Sequence, residues 1–252
     1  MKSVRIGNKI VGDGEDVFVI AEAGVNHNGN LGLAKKLIDT AIDAGADAVK
    51  FQTCKTDNVI ALDAPTADYQ KRNTGLKNQY DMIKNLELSS NEFKELYTYS
   101  KNKGILFLSS PFDNESVDLL DKIGVPAFKI ASGEITNYPL VEYIARKGKP
   151  IILSTGMSSL GEVEAALEII RMQGVTEVIL LHCVTSYPAS MADLNLKVMS
   201  TLKHAFKIPV GFSDHTVGVT ASSVAVALGA CTIEKHFTLD KTLSGPDHVM
   251  SL

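Results

Sequence analysis

The sequence predicts an α/β fold, a (β/α)8 TIM barrel. Three observations predict it. Short β-rich runs recur eight times, each nearly continuous in apolar residues, as parallel strands buried on both faces are. The segments between them carry helical signals, and strands alternating with helices make a parallel sheet. The length of 252 residues is what one such barrel takes, about 250, with nothing spare.

Taken in chain order, 4–14 reads as a small N-terminal β-hairpin around Gly7-Asn8 or Gly12–Gly14, placed to plug the barrel bottom. The first strand is Val17–Ala23. Ala34, Leu37, Ile38, Ala41 and Ile42 then follow a helical period that stops at Gly45. After the second strand, Ala48–Thr53, the polar stretch Lys55–Gln79 is too long for an ordinary connection and reads as an active-site cover. Ser89-x-x-Glu92 is a capping box opening a helix with the apolar stripe Phe93, Leu96 and Tyr97. The third, fourth and fifth strands are Ile105–Ser110, Ala127–Ser132 and Ile151–Thr155. A second capping box, Ser159-x-x-Glu162, opens a helix striped by Val163, Ala166, Leu167 and Ile170 and closed at Gly174. The last strands are Val178–Cys183, Val210–Asp214 and Cys231–Phe237. Only Thr238–Leu252 follows, which leaves no room for a normal eighth helix.

Composition narrows the function classes. With 45% hydrophobic and 21% charged residues the chain carries a large core, so disorder is excluded. A net charge of −4 gives no basic footprint for nucleic acid. No apolar run approaches the roughly 20 residues that span a bilayer, and the opening residues lack a signal-peptide core. Cys54, Cys183 and Cys231 form no Cys-x-x-Cys pair, which disfavours a disulfide framework or structural zinc. A cytoplasmic protein with a small-molecule task is expected.

In a barrel the site lies where the C-terminal ends of the strands meet. Here all eight ends carry polar groups: Glu22; Lys50 and Gln52; Ser109 and Ser110; Lys129, then Ser132; Ser154; His182, then Tyr187; Ser213 and His215; Glu234 and His236. Burying such charges without partners costs several kcal/mol, so stability alone does not account for a ring of them. Ser213 and His215 share one strand face, and Glu234 and His236 share one on the adjacent strand, so the two histidines are expected close together. Such a pair suits a divalent transition metal with open positions for water and substrate. The alternative is two neutral core histidines. His27 and His248 read as loop residues, His182 as a supporting or substrate group, and His204 as surface. Lys50 and Lys129 point to an anionic substrate, with Ser110, Ser132, Ser154 and Ser213 as donors and the Gly133 and Gly156 N–H groups beside them. A Schiff-base lysine is the rival role, but the sixth strand, Val-Ile-Leu-Leu-His-Cys, carries none. Lys235 is expected to face outward, and Cys183 and Cys231 to pack in the core.

Nine segments in order carry a resemblance: Ile20-Ala-Glu-Ala-Gly-Val-Asn-His-Asn-Gly29, Val49-Lys-Phe-Gln-Thr53, Ser109-Ser-Pro-Phe112, Phe128-Lys-Ile-Ala-Ser-Gly-Glu134, Leu153-Ser-Thr-Gly-Met157, Leu181-His-Cys-Val-Thr-Ser-Tyr-Pro188, Gly211-Phe-Ser-Asp-His-Thr216, Ile233-Glu-Lys-His-Phe-Thr-Leu-Asp240 and Gly245-Pro-Asp-His248. The chain resembles the sialic acid synthase family, which makes N-acetylneuraminate and related nonulosonates from phosphoenolpyruvate. The resemblance implies that His215 and His236 hold a Mn2+-type ion. It implies phosphoenolpyruvate binding by Lys50, Ser110, Lys129, Ser132, Ser154 and Ser213. Glu22, Gln52, Tyr187, Glu234 and Asp247 are implied to face the sugar or the reacting centre, with Glu22 or Glu234 managing a water proton. Some members have Asn at the position of Thr185.

The expected reaction is metal-dependent condensation of phosphoenolpyruvate with an N-acetylated mannose-type sugar, N-acetylmannosamine first. A 2,4-diacetamido-trideoxy sugar, giving legionaminate, is the alternative acceptor. An anion-binding barrel without turnover is the alternative class. The Gly-Glu after Ser132 fits these two acceptors better than the pseudaminate branch. The resemblance further implies a homodimer. It also implies a C-terminal antifreeze-like domain, for which 252 residues leave no room.

Overall fold

The computed structural model describes residues 3–252. Met1 and Lys2, the start of the segment read for a leader, lie outside the described residues. β1 (Ser3–Ile6) and β2 (Lys9–Gly12) form the predicted hairpin, turning at Gly7-Asn8 with Gly7 at φ 58°. Then come β3 (Phe18–Gly24), α1 (Leu31–Asp43), β4 (Ala48–Thr53), α2 (Thr56–Val59), α3 (Asp68–Thr74), α4 (Gln79–Leu86), α5 (Ser90–Lys103) and β5 (Leu106–Pro111). The chain continues through α6 (Asn114–Ile123), β6 (Phe128–Ile130), α7 (Tyr138–Ala145), β7 (Ile151–Ser154) and α8 (Leu160–Met172). It closes with β8 (Val178–Cys183), α9 (Val198–Phe206), β9 (Val210–Asp214), α10 (Thr220–Ala227) and β10 (Thr232–His236).

The eight strands after the hairpin share one sheet in the order β5-β4-β3-β10-β9-β8-β7-β6. With a helix between successive strands, this is the topology of the (β/α)8 TIM-barrel class. Three regions complete the comparison with expectation. The fourth strand is short, because Ser132–Glu134 turns into a 3-10 helix. In the stretch Lys55–Gln79, read as a cover, lie α2, α3 and the first residue of α4. Among the described residues, β10 is followed by a loop and the 3-10 turn His248–Met250. No helix among the described residues is long and apolar enough to cross a membrane.

Two compact units divide the chain, the cut passing through β3 and β10. The first holds the hairpin, the start of β3 up to Ile20, and Pro126–Lys235. Its strands β6 to β10 are parallel and in register, and Ile130, Ile152, Leu153, Leu180, Leu181 and Phe212 are fully buried. Val4, Ile6 and Val11 of the hairpin are buried too, and the Arg5 N–H donates to Glu177 at 3.1 Å. Glu177 immediately precedes β8, so the hairpin lies against the N-terminal end of that strand. α8 opens on the predicted box, with Ser159 N–H donating to Glu162 at 2.7 Å and Glu162 N–H donating back to Ser159 Oγ at 3.3 Å.

The second unit holds Ala21–Val125 and His236–Leu252. α1 buries Ala34, Leu37, Ile38 and Ala41, and starts where Asn30 Oδ1 accepts the Leu33 N–H at 2.9 Å. α5 starts on the other predicted box, Ser89 with Glu92, and buries Phe93 and Leu96. The end of β10 is extended by two main-chain bonds, Leu252 N–H to the His236 carbonyl and Thr238 N–H to the Leu252 carbonyl.

Gly211 in β9 has no room for a side chain. A Cβ there would lie 2.4 Å from the Thr232 carbonyl oxygen and 2.8 Å from Leu181 Cδ2. Rigid strand backbone cannot yield as a side chain would. Gly211→Ala is therefore expected to cost about 1–3 kcal/mol or more of stability; urea denaturation checks this.

Candidate active site

In the first unit one chain of contacts runs along the strand ends. Lys129 in β6 is buried. Its ammonium donates to Ser154 Oγ at 2.7 Å and to the Ile130 carbonyl at 3.1 Å, and lies 3.9 Å from Glu234 Oε1. Glu234 stands opposite Ser213 in the β9–β10 register and accepts its hydroxyl at 3.2 Å. Ser213 Oγ lies 3.4 Å from His215 Nε2. The Tyr187 ring packs on the His215 ring, with centroids 4.3 Å apart. Lys129, Ser154, Glu234, Ser213, His215 and Tyr187 are thus brought together.

Ser132 joins through a different partner. Its Oγ accepts the Gly156 N–H at 3.0 Å and lies 3.0 Å from Cys183 Sγ. The Gly156 N–H, expected to point at an anion, is therefore committed to Ser132. A Cβ on Gly156 would lie 2.3 Å from Thr185 Oγ1, so this glycine lets the β7 and β8 ends close up. Thr185 Oγ1 is buried with no hydrogen-bond partner among the described residues.

The His215 tautomer follows from one contact. Its Nδ1 lies 2.7 Å from the Val184 carbonyl. A carbonyl only accepts, so Nδ1 carries the proton and Nε2 keeps the lone pair. Burial holds the ring below the usual imidazole range, against the opposing effects of the Val184 carbonyl and the Glu234 carboxylate, so it is neutral. Metal-binding histidines commonly donate their other N–H to a carbonyl, so this residue fits a divalent ion. Among the described residues no group of three or more His, Cys, Asp and Glu side chains is placed to hold a metal.

The second unit gathers Glu22, Lys50, Gln52, Ser110 and His236. The buried Lys50 ammonium lies 2.8 Å from Glu22 Oε2 and donates to Ser110 Oγ at 3.1 Å. Gln52 Nε2 donates to Glu22 Oε1 at 3.3 Å. Gln52 faces Ser110 in the β4–β5 register, which sets both on one side of the sheet. Gly24 sits among these groups at φ 53°. A Cβ there would lie 3.4 Å from Glu22, 3.5 Å from Gln52 and 3.6 Å from the His236 ring. His236 therefore shares a neighbourhood with the carboxylate and the amide.

Asp247 belongs to a separate set of contacts. Asn73 in α3 donates to the Pro246 carbonyl at 2.8 Å. Burial first, then the Asp247 charge, push the Tyr69 phenol of α3 up to about 12. Full burial raises Asp247 itself to about 6. The long insertion thus reaches the turn that carries Asp247.

Four further residues are buried. Lys235 faces away from Glu234 but is not outward in solvent: it is buried, 3.0 Å from Asp214 Oδ2. His27 and His248, read as loop residues, are fully buried. His27 Nδ1 accepts the Gly29 N–H at 3.1 Å, and burial lowers the ring to about 4. His248 lies 2.6 Å from Thr238 Oγ1. His182 lies 2.6 Å from the Leu194 carbonyl and packs on Phe212, a structural tie. His204 is on the exposed face of α9, as expected. Burial raises Cys231 to about 11, as befits a packed thiol.

Sequence reasoning missed Tyr69, Asn73 and the Asp214–Lys235 pair. For that pair the signal was present: each stands beside a candidate histidine, at the ends of neighbouring strands.

Two expectations follow. Glu22→Ala removes the carboxylate from a buried ammonium and is expected to cost about 3–5 kcal/mol, read as a lower urea midpoint. Asp247 takes up a proton on folding, because its folded value of about 6 exceeds the ordinary 3.8. Its contribution is present below about 4 and lost as pH rises through about 6. Asp247→Asn should therefore gain melting temperature relative to the parent across that window. Parallel melts from pH 4 to 7.5 check it.

Comparison with known proteins identifies the family. The N,N'-diacetyllegionaminic acid synthase of Campylobacter jejuni is 56% identical over 238 residues, covering 93% of this chain and 71% of that protein. The N-acetylneuraminate-9-phosphate synthase of Mus musculus is 38% identical, covering 96% of this chain and 67% of that protein. Among solved structures, the N-acetylneuraminic acid (sialic acid) synthetase of Leptospira borgpetersenii superposes with a TM-score of 0.89 at 40% identity, covering 100% of this chain and 83% of that one. The NeuB family matches residues 37–252. With the family model over residues 37–252 and these relatives in agreement, the chain is a member of the NeuB family.

Proposed function

We propose that the chain condenses phosphoenolpyruvate with an N-acetylated amino sugar to give a nonulosonic acid and phosphate. One observation carries the proposal: two lysines, buried along apolar strands, are each hydrogen-bonded to a serine hydroxyl at a strand end. Ammonium and hydroxyl donors together are the chemistry that receives phosphate and carboxylate oxygens. Both clusters would serve this one reaction.

Lys129, Lys50, Ser110, Ser132, Ser154 and Ser213 would bind the phosphate and carboxylate of phosphoenolpyruvate and neutralise them. Gln52, Tyr187 and Asp247 would orient the open-chain sugar, setting its aldehyde carbon against the phosphoenolpyruvate methylene. The new C–C bond forms between those carbons. Water adds at the enol carbon, the C–O bond to phosphate breaks, and phosphate leaves. Glu22 or Glu234 would take the proton of that water. His215 and His236 would hold a divalent ion, Mn2+ first, whose chemistry when bound is Lewis-acid polarisation of a carbonyl. The setting proposed is a cytoplasmic homodimer.

Of the two acceptors, identity supports the 2,4-diacetamido-trideoxy sugar over N-acetylmannosamine. The relatives at 56% and 48% identity are named N,N'-diacetyllegionaminic acid synthases, whereas the N-acetylneuraminate-9-phosphate synthases stand at 38% or less.

Phosphate release from phosphoenolpyruvate with Mn2+ and each sugar tests the proposal. Release is expected with both sugars and faster with the diacetamido sugar. His215→Ala should abolish it. Lys129→Met should raise the KM for phosphoenolpyruvate about ten- to hundredfold, the worth of a charge-assisted bond. No release with either sugar, or a His215→Ala protein matching the parent, overturns the reading.

A further inference from the structure

We infer that the buried Lys235–Asp214 ion pair is a positioning device for the His215 imidazole. The inference rests on the reading that His215 serves the reaction. Lys235 stands opposite Asp214 in the β9–β10 register, one residue along from the Ser213–Glu234 pair. Successive strand residues point to opposite faces. The ion pair therefore backs the two strands on the face away from Ser213 and Glu234.

Its bonds fall on both sides of His215. The Lys235 ammonium lies 3.0 Å from Asp214 Oδ2, before His215, and donates to the Thr216 carbonyl at 2.8 Å, after it. Asp214 Oδ1 accepts the Thr216 N–H at 2.8 Å and the Thr216 hydroxyl at 2.7 Å. Asp214 Oδ2 also accepts the Ser222 hydroxyl from α10 at 2.6 Å. The His215 carbonyl accepts the Ala189 N–H at 2.9 Å. Six contacts thus tie down residues 214 to 216. With the backbone fixed on either side, the ring is held where its Nδ1 meets the Val184 carbonyl at 2.7 Å. A register pin alone would need only the cross-strand contact. The bond to the Thr216 carbonyl, beyond the end of β9, acts on the residue that follows the histidine.

The test uses Asp214→Asn/Lys235→Met. It removes both charges together, keeps an oxygen for Thr216, and takes the donor from the Thr216 carbonyl. The first readout is the His215 Nδ1–H signal in long-range 1H–15N spectra of metal-free protein, assigned by its loss in His215→Ala. The second is the Mn2+ dissociation constant from the electron spin resonance of free ion. The third is the melting temperature. In the double variant the Nδ1–H is expected to exchange at least about tenfold faster, and Mn2+ binding to weaken about tenfold, as with other outer partners of ligating histidines. The melting temperature is expected to move little, since paired charges are removed together.

An Nδ1–H signal matching the parent in a folded double variant overturns the inference, whatever the metal does. Faster exchange in a protein whose parent form binds no Mn2+ sinks the metal reading and leaves the positioning role standing. Should the double variant not fold, Ser222→Ala decides, because it removes one bond to Asp214 and no charge. Its Nδ1–H must then exchange faster than the parent's, and an unchanged rate overturns the inference.

Discussion

A parallel strand buried on both faces can carry a charged side chain only where a partner meets it. β8, β9 and β10 are buried from end to end, and β4 nearly so. Taking an ion out of water costs several kcal/mol, which only close partners offset. Lys50 meets Glu22, Lys129 meets Ser154 with Glu234 beyond it, and Lys235 meets Asp214. The need to satisfy these charges sets where each side chain points. The polar clusters described above are the result.

The same constraint fixes protonation states. A buried imidazole with a carbonyl at Nδ1 is neutral and presents its other nitrogen, as His215 does. Proteins use this arrangement both for coordination and for accepting hydrogen bonds. A buried carboxyl such as Asp247 gives up its proton late, which suits a hydrogen-bonding group more than a charge-pairing one. Lys129 and Glu234 oppose each other across 3.9 Å. The surrounding serine hydroxyls can therefore turn to an incoming anion without an ammonium being stranded.

The strand runs were readable because burial on both faces demands unbroken apolar sequence, and the two capping boxes because their bonds are local, spanning three residues. The insertion 55–79 was readable as unusual but not as helices. α2 and α3 are short, and their Asn73 and Tyr69 contacts lie far along the chain, at 246 and 247. The fourth strand was overdrawn at its end because Ser132 and Gly133 are compatible with either an extended end or a turn. The burial of His27 and His248 was not readable from the loops that carry them, because a distant segment covers each: His248 Nε2 lies 3.2 Å from Asn28 Oδ1.

By itself the sequence determined the alternation of strands and helices, the hairpin turn, the helix starts, and which polar residues stand at strand ends. Each of these depends on neighbours within a few positions or on a repeating period. Only the tertiary structure decided the partners. It paired Lys50 with Glu22 rather than leaving it to an anion alone, spent the Gly156 N–H on Ser132, buried Lys235 against Asp214, and chose the tautomer of His215. Those outcomes depend on distances between residues from about 20 to 30 positions apart in sequence, set by strand register. Register is a property of the folded sheet and is written in no single segment.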